Sequence, residues 1–406
     1  MTEQDAMNVQ TTTYKTPDDQ VEWLGTDPIP AGPYYDPEYF ELERKAIFMR
    51  SWLVMGHISE IAEPGSFIRR ELEFAKASIL IVHGKDGKIR AFHNVCTHRG
   101  TQLVEEESGK ASSFTCPYHA WNFGYDGELR AAPDFERFFV DKGECSLPKV
   151  AVDICAGLIF VNLDPSPRQG LREYLGSYAE ELETLPVAKA TTFSEYVYEI
   201  DANWKITYDN FQENYHLRFI HPSTGAATIS PDNAFGYPVS YGFNGPHRTQ
   251  KIWTNPAPSI TPIQRLGFGK GVASGMAHGL IGGPNDRSYF AVFPSFFIIG
   301  TPTQHFSHMV YPLSASKSRG VIRVYWVGED GSASERFARE YALATIRDIH
   351  SEDVNVIARG QRGLNSGSLK HIHFMSMEGL CRHLYMTVNN IVEAYKAESR
   401  TAGEVA

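Results

Sequence analysis

The chain has 406 residues, 42% of them hydrophobic, with 48 acidic and 38 basic residues and a formal net charge of −10. Because no Lys/Arg run stands out in this acidic chain, we expect neither nucleic acid nor an anionic membrane as a partner. Residues 1–15 lack an apolar stretch and no apolar run is long enough to span a bilayer, so we expect a cytoplasmic protein.

The first part of the chain predicts an arm followed by a small domain rich in turns. Residues 1–51 predict an extended arm and a helix, over residues 37–50, that packs on the last domain. Over residues 52–164, short apolar runs separated by turns predict an antiparallel all-β domain. Asp-Gly pairs at 86–87 and 126–127 indicate tight turns between strands. The strands expected here span residues 67–73, 77–83 and 88–95, with two more within 147–163.

Residues 165–406 predict a second domain of mixed structure. Pro165 and Pro167 mark its start, because paired prolines continue neither a strand nor a helix. The pattern favours an α+β fold in which an antiparallel sheet is covered by helices, a helix-grip-like architecture. The expected helices span residues 171–185, 204–215, 334–359 and 377–396, and the expected strands span residues 193–200, 289–300, 304–314 and 320–327.

Two of the five cysteines lie beside histidines, in the sequences Cys96-Thr-His98 and Cys116-Pro-Tyr-His119. The odd number of cysteines argues against a disulfide framework and for reduced thiols. Two loops that each supply one thiolate and one imidazole match the ligands of a Rieske [2Fe–2S] cluster. A structural zinc site is an alternative, although such sites usually pair Cys with Cys and His with His. Chance placement of buried cysteines and turn histidines is another.

His216 and His221 form a second candidate site. They can converge if a helix ends near Leu217 and the chain then turns, as Pro222 indicates. With one carboxylate they would make the 2-His-1-carboxylate triad of a mononuclear Fe(II), which leaves positions open for dioxygen and substrate. The spacing alone leaves a second interpretation, in which both are surface or helix-capping residues.

The motifs at residues 94–100, 116–121 and 203–222 resemble those of the Rieske non-haem iron oxygenase α-subunit family. The resemblance implies that Cys96, His98, Cys116 and His119 bind the [2Fe–2S] cluster and that Trp121 packs against it. It also implies a catalytic domain with a mononuclear Fe(II) and dioxygen as co-substrate.

The resemblance supplies the third iron ligand as well. In the family an acidic pair on a late helix is followed by a glutamine, and here this pattern makes Asp353 the ligand beside His216 and His221. Asp348 and Glu352 are its competitors, and each of these acids is otherwise part of a solvated helix face.

Glu213 departs from the family pattern, in which many members have an aspartate three residues before the first iron-binding histidine. The family residue bridges that histidine to a cluster-binding histidine of the neighbouring subunit, so the resemblance implies a ring, typically a homotrimer. The longer side chain puts the bridging geometry in doubt. The alternative to a bridging role is that Glu213 is a solvated glutamate on a helix. Asn210 of the same motif is the other predicted catalytic residue.

The resemblance predicts a terminal oxygenase that receives electrons from a reductase, with or without a ferredoxin, and hydroxylates an aromatic small molecule. A quaternary ammonium substrate and O- or N-demethylation are the alternatives, and an electron carrier or ligand-binding protein with an inactive iron site is the alternative of another class. A cation would need an aromatic cage. The candidate wall residues are Phe211, Phe219, Tyr289, Phe290, Phe293, Phe296 and Phe297.

Overall fold

The computed structural model describes residues 15–255, 257–278, 288–300, 305–328 and 331–401. Residues 1–14 of the predicted arm and Gln304 of a predicted strand lie outside these ranges. Strand β1 (Ile29–Pro30) precedes helix α1 (Pro37–Glu43), which continues as a π-helical turn over Arg44–Phe48. The helix expected over residues 37–50 is therefore present and ends two residues early.

Ten strands form the next part of the chain, which we call the β region (residues 53–162). They are β2 (Leu53–His57), β3 (Ser66–Leu72), β4 (Ala77–His83), β5 (Ile89–His93), β6 (Ser108–Lys110), β7 (Phe114–Thr115), β8 (Asn122–Phe123), β9 (Leu129–Ala131), β10 (Lys149–Cys155) and β11 (Leu158–Asn162). They build a seven-stranded sheet in the order β2-β11-β10-β5-β4-β3-β6 and a three-stranded sheet β7-β8-β9, with antiparallel pairing.

The two predicted Asp-Gly turns join β4 to β5 and β8 to β9. In the first, Gly87 has φ of 75° and Asp86 accepts a hydrogen bond from the backbone of Lys88. In the second, Gly127 has φ of 80° and Asp126 accepts from the backbone of the next residue but one. Glycine tolerates this left-handed backbone and aspartate closes the turn on its own backbone, so both turns follow from local chemistry.

The rest of the chain, which we call the sheet-and-helix region (residues 171–401), contains seven helices and eight strands among the described residues. The helices are α2 (Leu171–Leu175), α3 (Tyr178–Thr184), α4 (Trp204–Asp209), α5 (Leu217–Ile220), α6 (Pro262–His278), α7 (Ala333–Asn365) and α8 (Gly379–Thr401). The strands are β12 (Thr192–Ile200), β13 (Ser240–Asn244), β14 (His247–Lys251), β15 (Ser288–Val292), β16 (Phe296–Gly300), β17 (His305–Ser314), β18 (Lys317–Trp326) and β19 (His371–Ile372).

Short 3₁₀ turns occur in both regions and before them. They lie at Asp18–Gln20, Glu22–Leu24, Gly32–Tyr34, Ile58–Ile61, Glu73–Ala75, Phe135–Arg137, Lys142–Cys145, Pro186–Lys189, Thr224–Ala227 and Ser376–Glu378.

The main sheet of this region is antiparallel, in the order β12-β18-β17-β16-β15-β14-β13, and β19 pairs with β1. The long helix α7 packs on it through an apolar stripe that includes Ala342, Ile346 and Ile357. The expected α+β architecture, an all-β part followed by a sheet covered by helices, is confirmed. The domain boundaries at 51/52 and 164/165 stay predictions.

Helices α7 and α8 extend six and five residues beyond their predicted ends, and three other predicted elements are interrupted or cut short. The strand expected over residues 289–300 is a hairpin of β15 and β16, because Pro294 lacks the amide hydrogen that a central strand needs. The helix expected over residues 171–185 breaks at Gly176, whose φ is 57°. The helix expected over residues 204–215 ends at Asp209, for a reason that lies in the site itself.

One apolar core joins the β region to the sheet-and-helix region. It includes Ile68 and Ile79 of the first, and Trp204, Phe297 and Leu380 of the second. The described helices include none that is both long enough and apolar enough to cross a membrane.

Candidate metal centres

Two loops of the β region carry the four predicted cluster ligands. Cys96 and His98 follow β5, and Cys116 and His119 lie between β7 and β8. The buried side chain of Asn94 holds the first loop, because its Oδ1 accepts hydrogen bonds of 3.0 Å from two backbone N–H groups later in that loop. Its amide nitrogen donates to a backbone carbonyl of the same loop at 2.7 Å.

The four side chains come together at the tips of these loops. The thiols of Cys96 and Cys116 are buried and interact with each other, and the His98 and His119 rings lie 4.6 Å apart between centroids. Nδ1 of each histidine is buried and lacks a hydrogen-bond partner among the described residues. Two buried thiols and two unpartnered imidazole nitrogens fit the donor set of a [2Fe–2S] Rieske cluster.

Backbone N–H groups stabilise negative charge on both sulfurs. Burial raises the pKa of the Cys96 thiol, although the N–H groups of residues 98 and 99 donate to its sulfur. Burial also opposes ionisation of Cys116, but hydrogen bonds from the N–H groups of residues 118 and 119 and from the side chains of Cys96 and Thr101 together lower the pKa of that thiol. Such hydrogen bonds are a determinant of the reduction potential of a cluster.

Trp121 packs against one of the predicted cluster ligands. Its indole stacks on the His98 ring at 4.8 Å with an interplanar angle of 10°, and Phe135 and Phe138 pack against it. The outer side of the site differs, since Tyr118 is 56% exposed beside the His119 ring. The cluster site therefore has one closed aromatic side and one open side.

The second site brings together His216, His221 and Asp353. The two histidines bracket the four-residue helix α5, and Asp353 is buried on α7. One ligand atom from each lies within 4.8 Å of the others. Oδ1 of Asp353 is 3.0 Å from Nε2 of His221 and 3.7 Å from Nε2 of His216, without hydrogen-bond geometry to either ring. Three donors that converge without bonding one another fit a facial triad for Fe(II).

Glu213 explains why α4 ends early. Its Oε2 accepts hydrogen bonds from the backbone N–H groups of Tyr215 and His216, and its Oε1 contacts Nδ1 of His216. A side chain that satisfies the backbone locally competes with helix formation, so the chain turns between Asp209 and Leu217. The turn predicted between Leu217 and His221 is therefore wrong in its position, because Leu217–Ile220 form helix α5 and the chain turns before them.

A second carboxylate holds the other histidine. Nδ1 of His221 lies 2.6 Å from Oε2 of Glu352, which also accepts a 2.7 Å hydrogen bond from the hydroxyl of Thr224. Each imidazole thus has a carboxylate at Nδ1, which fixes the ring and leaves Nε2 directed at Asp353. The sequence does not predict this partnership, because it points to Glu352 only as a competing ligand.

Comparison with known proteins decides the family. A model of the ring-hydroxylating α-subunit catalytic domain matches residues 187–394, and a Rieske [2Fe–2S] domain model matches residues 51–150. The chain belongs to the Rieske oxygenase α-subunit family. This oxygenase subunit therefore carries a Rieske cluster and a mononuclear iron, uses dioxygen and receives electrons from a separate reductase. The match to the Rieske domain model contradicts the alternative of a structural zinc site.

Relatives of this oxygenase subunit act on more than one kind of substrate. The carnitine monooxygenase oxygenase subunit of Acinetobacter baumannii is 31% identical over 341 residues, which are 82% of this chain and 84% of that protein. The α subunit of 2-aminobenzenesulfonate 2,3-dioxygenase from Alcaligenes sp. is 36% identical over 199 residues, 47% of this chain and 50% of that one. A solved quaternary ammonium Rieske monooxygenase in complex with L-carnitine has a TM-score of 0.73 at 26% identity, covering 92% of this chain and 99% of that chain.

The remaining predicted residues lie in different surroundings. Asn210 caps the end of α4, and its Nδ2 is buried without a hydrogen-bond partner in the described part of the chain. Asp348 is 67% exposed and contacts Arg347, away from the triad. Gln361, which marked the family pattern, accepts from the backbone of Asn203 at 2.7 Å and so ties α7 to the start of α4.

Only part of the candidate aromatic wall lies near the metal residues. Phe211 packs 5.3 Å from Phe297, which packs 4.8 Å from Tyr289. The other candidates have different surroundings. Phe219 is 64% exposed, and three more pack in apolar cores, namely Phe290, Phe293 and Phe296. Residues 290 and 296 face α2 and α3, because alternate residues of a strand point to opposite faces.

Proposed function

We propose that Cys96, His98, Cys116 and His119 hold the Rieske cluster and that a second set, His216, His221 and Asp353, holds the iron. When bound, the cluster relays single electrons and the iron activates dioxygen for insertion into the substrate. The protein residues orient and protect these groups. Glu213 and Glu352 accept the Nδ1 protons of the two iron-site histidines, which keeps both Nε2 atoms available as ligands.

We propose a quaternary ammonium compound as the substrate class. The observation that carries this proposal is the excess of carboxylates at the iron site, where Glu213, Glu352 and Asp353 surround two histidines. A divalent iron neutralises two of the three charges, so a cation beside it is stabilised. The Phe211 ring lies 6.0 Å from His350, which precedes Asp353 by three residues on α7, and it packs 5.3 Å from Phe297. These two rings supply the faces on which an ammonium group binds. The substrates named for the carnitine monooxygenases agree with this class.

An aromatic substrate is the second candidate. It was the expectation from the sequence, and the aminobenzenesulfonate dioxygenase relative and the same two phenylalanine rings favour it. Demethylation of a methylammonium group is compatible with the first arrangement, because it begins with oxidation of a carbon next to the cationic nitrogen.

A reductase-coupled oxygen-uptake assay separates the two classes. We expect carnitine or γ-butyrobetaine to stimulate oxygen uptake, and the isosteric compounds with a tert-butyl group in place of the trimethylammonium group to have no effect. Stimulation by 2-aminobenzenesulfonate and by none of the ammonium compounds would instead establish the aromatic class.

A head-to-tail homotrimer is the proposed assembly. Tyr118 is 56% exposed at the open side of the cluster, and Tyr215 and Phe219 are 45% and 64% exposed beside the iron site. Exposed rings at both centres suit an interface that joins the cluster of one copy to the iron site of the next. Sedimentation should show a trimer, and Phe219→Arg should shift it to the monomer. A wild-type monomer at micromolar concentration contradicts this assembly.

The cytoplasmic location and the participation of a ferredoxin stay predictions from the sequence.

A further inference from the structure

Two buried histidines lie close to the iron site without a role in holding the metal. His350 precedes Asp353 by three residues on α7, so the two side chains share one face of the helix. His308 on β17 pairs with Phe297 on β16, on the sheet face that packs against α7. Both histidines are fully buried, and their ring centroids are 6.3 Å apart.

These rings carry hydrogen-bonding atoms that have no partners among the described residues. Both ring nitrogens of His350 and Nδ1 of His308 are buried in this way. Nε2 of His308 lies 2.7 Å from the hydroxyl of Tyr198, which fixes the orientation of the ring. Buried polar atoms nearly always have partners in folded proteins, so three unpartnered nitrogens in one place indicate a missing ligand.

The surroundings of the pair are aromatic, and one of the rings is partly exposed. The Phe211 ring lies 4.6 Å from His308 and 6.0 Å from His350, and it keeps partial exposure. Burial lowers the pKa of His308 well below its ordinary value and that of His350 to about 4. Each ring is therefore neutral at pH 7, with one N–H donor and one acceptor.

We propose that His350 and His308, the latter positioned by Tyr198, bind an oxygen-bearing group of the substrate, either a carboxylate or a hydroxyl. Phe211 and Phe297 then contact its remaining part. This inference rests on the proposed function for the placement of the substrate beside the iron. Because residues three apart on a helix have Cβ atoms about 5–6 Å apart, the bound oxygen lies several bonds from the carbon that is oxidised.

Binding to the holoenzyme, measured by calorimetry without oxygen or reductant, tests this. The ligands are three trimethylammonium compounds of equal chain length, with a carboxylate (γ-butyrobetaine), a terminal hydroxyl or a plain butyl chain. His350→Phe should weaken at least one oxygen-bearing ligand about 10-fold or more and change the butyl compound less than about 2-fold. Tyr198→Phe should weaken the same ligand by a smaller factor. His305→Phe is the control. His305 is also buried and lies on β17, the strand of His308, but on the opposite face of that strand.

Equal weakening of all three ligands, or none, in His350→Phe overturns the inference, and if that variant does not fold, Tyr198→Phe decides on the same criterion. If no ammonium compound binds the wild-type enzyme, the proposed substrate class has failed. Benzoate, benzyl alcohol and toluene then give the same comparison, in which selective weakening of an oxygen-bearing member supports the histidine pair and uniform behaviour overturns it.

Discussion

Glu352 and Asp353 lie on opposite sides of the His221 imidazole. Its Oε2 lies 2.6 Å from Nδ1 of His221, while Asp353 places Oδ1 3.0 Å from Nε2 of the same ring. Two adjacent acids therefore have different positions around one histidine, because consecutive helix residues point in directions about 100° apart.

Replacing Glu352 tests this division directly. Glu352→Ala should weaken iron binding about 10- to 100-fold, since His221 loses the partner that fixes its ring. Metal analysis after dialysis against a graded chelator measures the change. Asp348→Asn is the matched control on the same helix, because Asp348 is 67% exposed and away from the triad. An equal fall in iron affinity in both variants would show that Glu352 does not position His221 for iron binding.

Glu213→Gln tests the proposed route for electrons. We expect both metal centres to stay loaded and the cluster to stay reducible. Product formation should collapse if Glu213 bridges the two centres as the family resemblance implies, because the amide lacks the charge of the carboxylate. Iron content, the optical spectrum of the reduced cluster and turnover are measured on one preparation. Normal turnover with the amide in place would exclude a bridging carboxylate.

Asp209 makes stability depend on pH. Burial raises the pKa of its carboxyl group from 3.8 to about 7, although the positive charges of Arg248 and Lys205 lower that pKa. The folded chain thus binds this proton more tightly than the unfolded chain. The stabilisation is full below about pH 4 and is lost as the pH rises through about 7. Asp209→Asn should lose less stability than the wild type between pH 5 and pH 8 in urea unfolding, and identical losses would contradict the assignment.

Arg323 connects the two regions of the fold electrostatically. It is 4% exposed and forms a 2.7 Å ion pair with Glu60 of the β region. Arg323→Ala should destabilise the protein by about 3–5 kcal/mol, because the Glu60 carboxylate, whose side chain is only 11% exposed, is left with less compensation. Arg319→Ala, which removes a more exposed arginine of the same strand, should change stability by less than about 1 kcal/mol. Equal melting temperatures for the two variants would count against the buried pair.

Much of the fold follows from local patterns. The Asp-Gly turns and strand β4 lie where the sequence predicts them, since turn chemistry and alternation act over a few residues. The end of α4 was not predictable in this way. Its helical pattern continues to Tyr215, and the competing interactions depend on the side chain of Glu213 bending back onto His216.

The two metal sites differ in how far the sequence determines them. The spacing of cysteines and histidines indicates the cluster, because each loop supplies its ligands locally. Asp353 lies 132 residues after His221, and resemblance rather than periodicity points to it. His308 and His350 carry no motif at all, and only the packing of β17 against α7 brings them beside Phe211.

Iron and acid-labile sulfide per chain test the central claim most directly. An oxygenase subunit with both centres contains about three iron atoms and two sulfides, and His221→Ala should contain about two of each with an unchanged cluster spectrum. A wild-type protein that binds only two iron atoms after anaerobic loading with Fe(II), or a His221→Ala variant that keeps the full complement, would contradict the account.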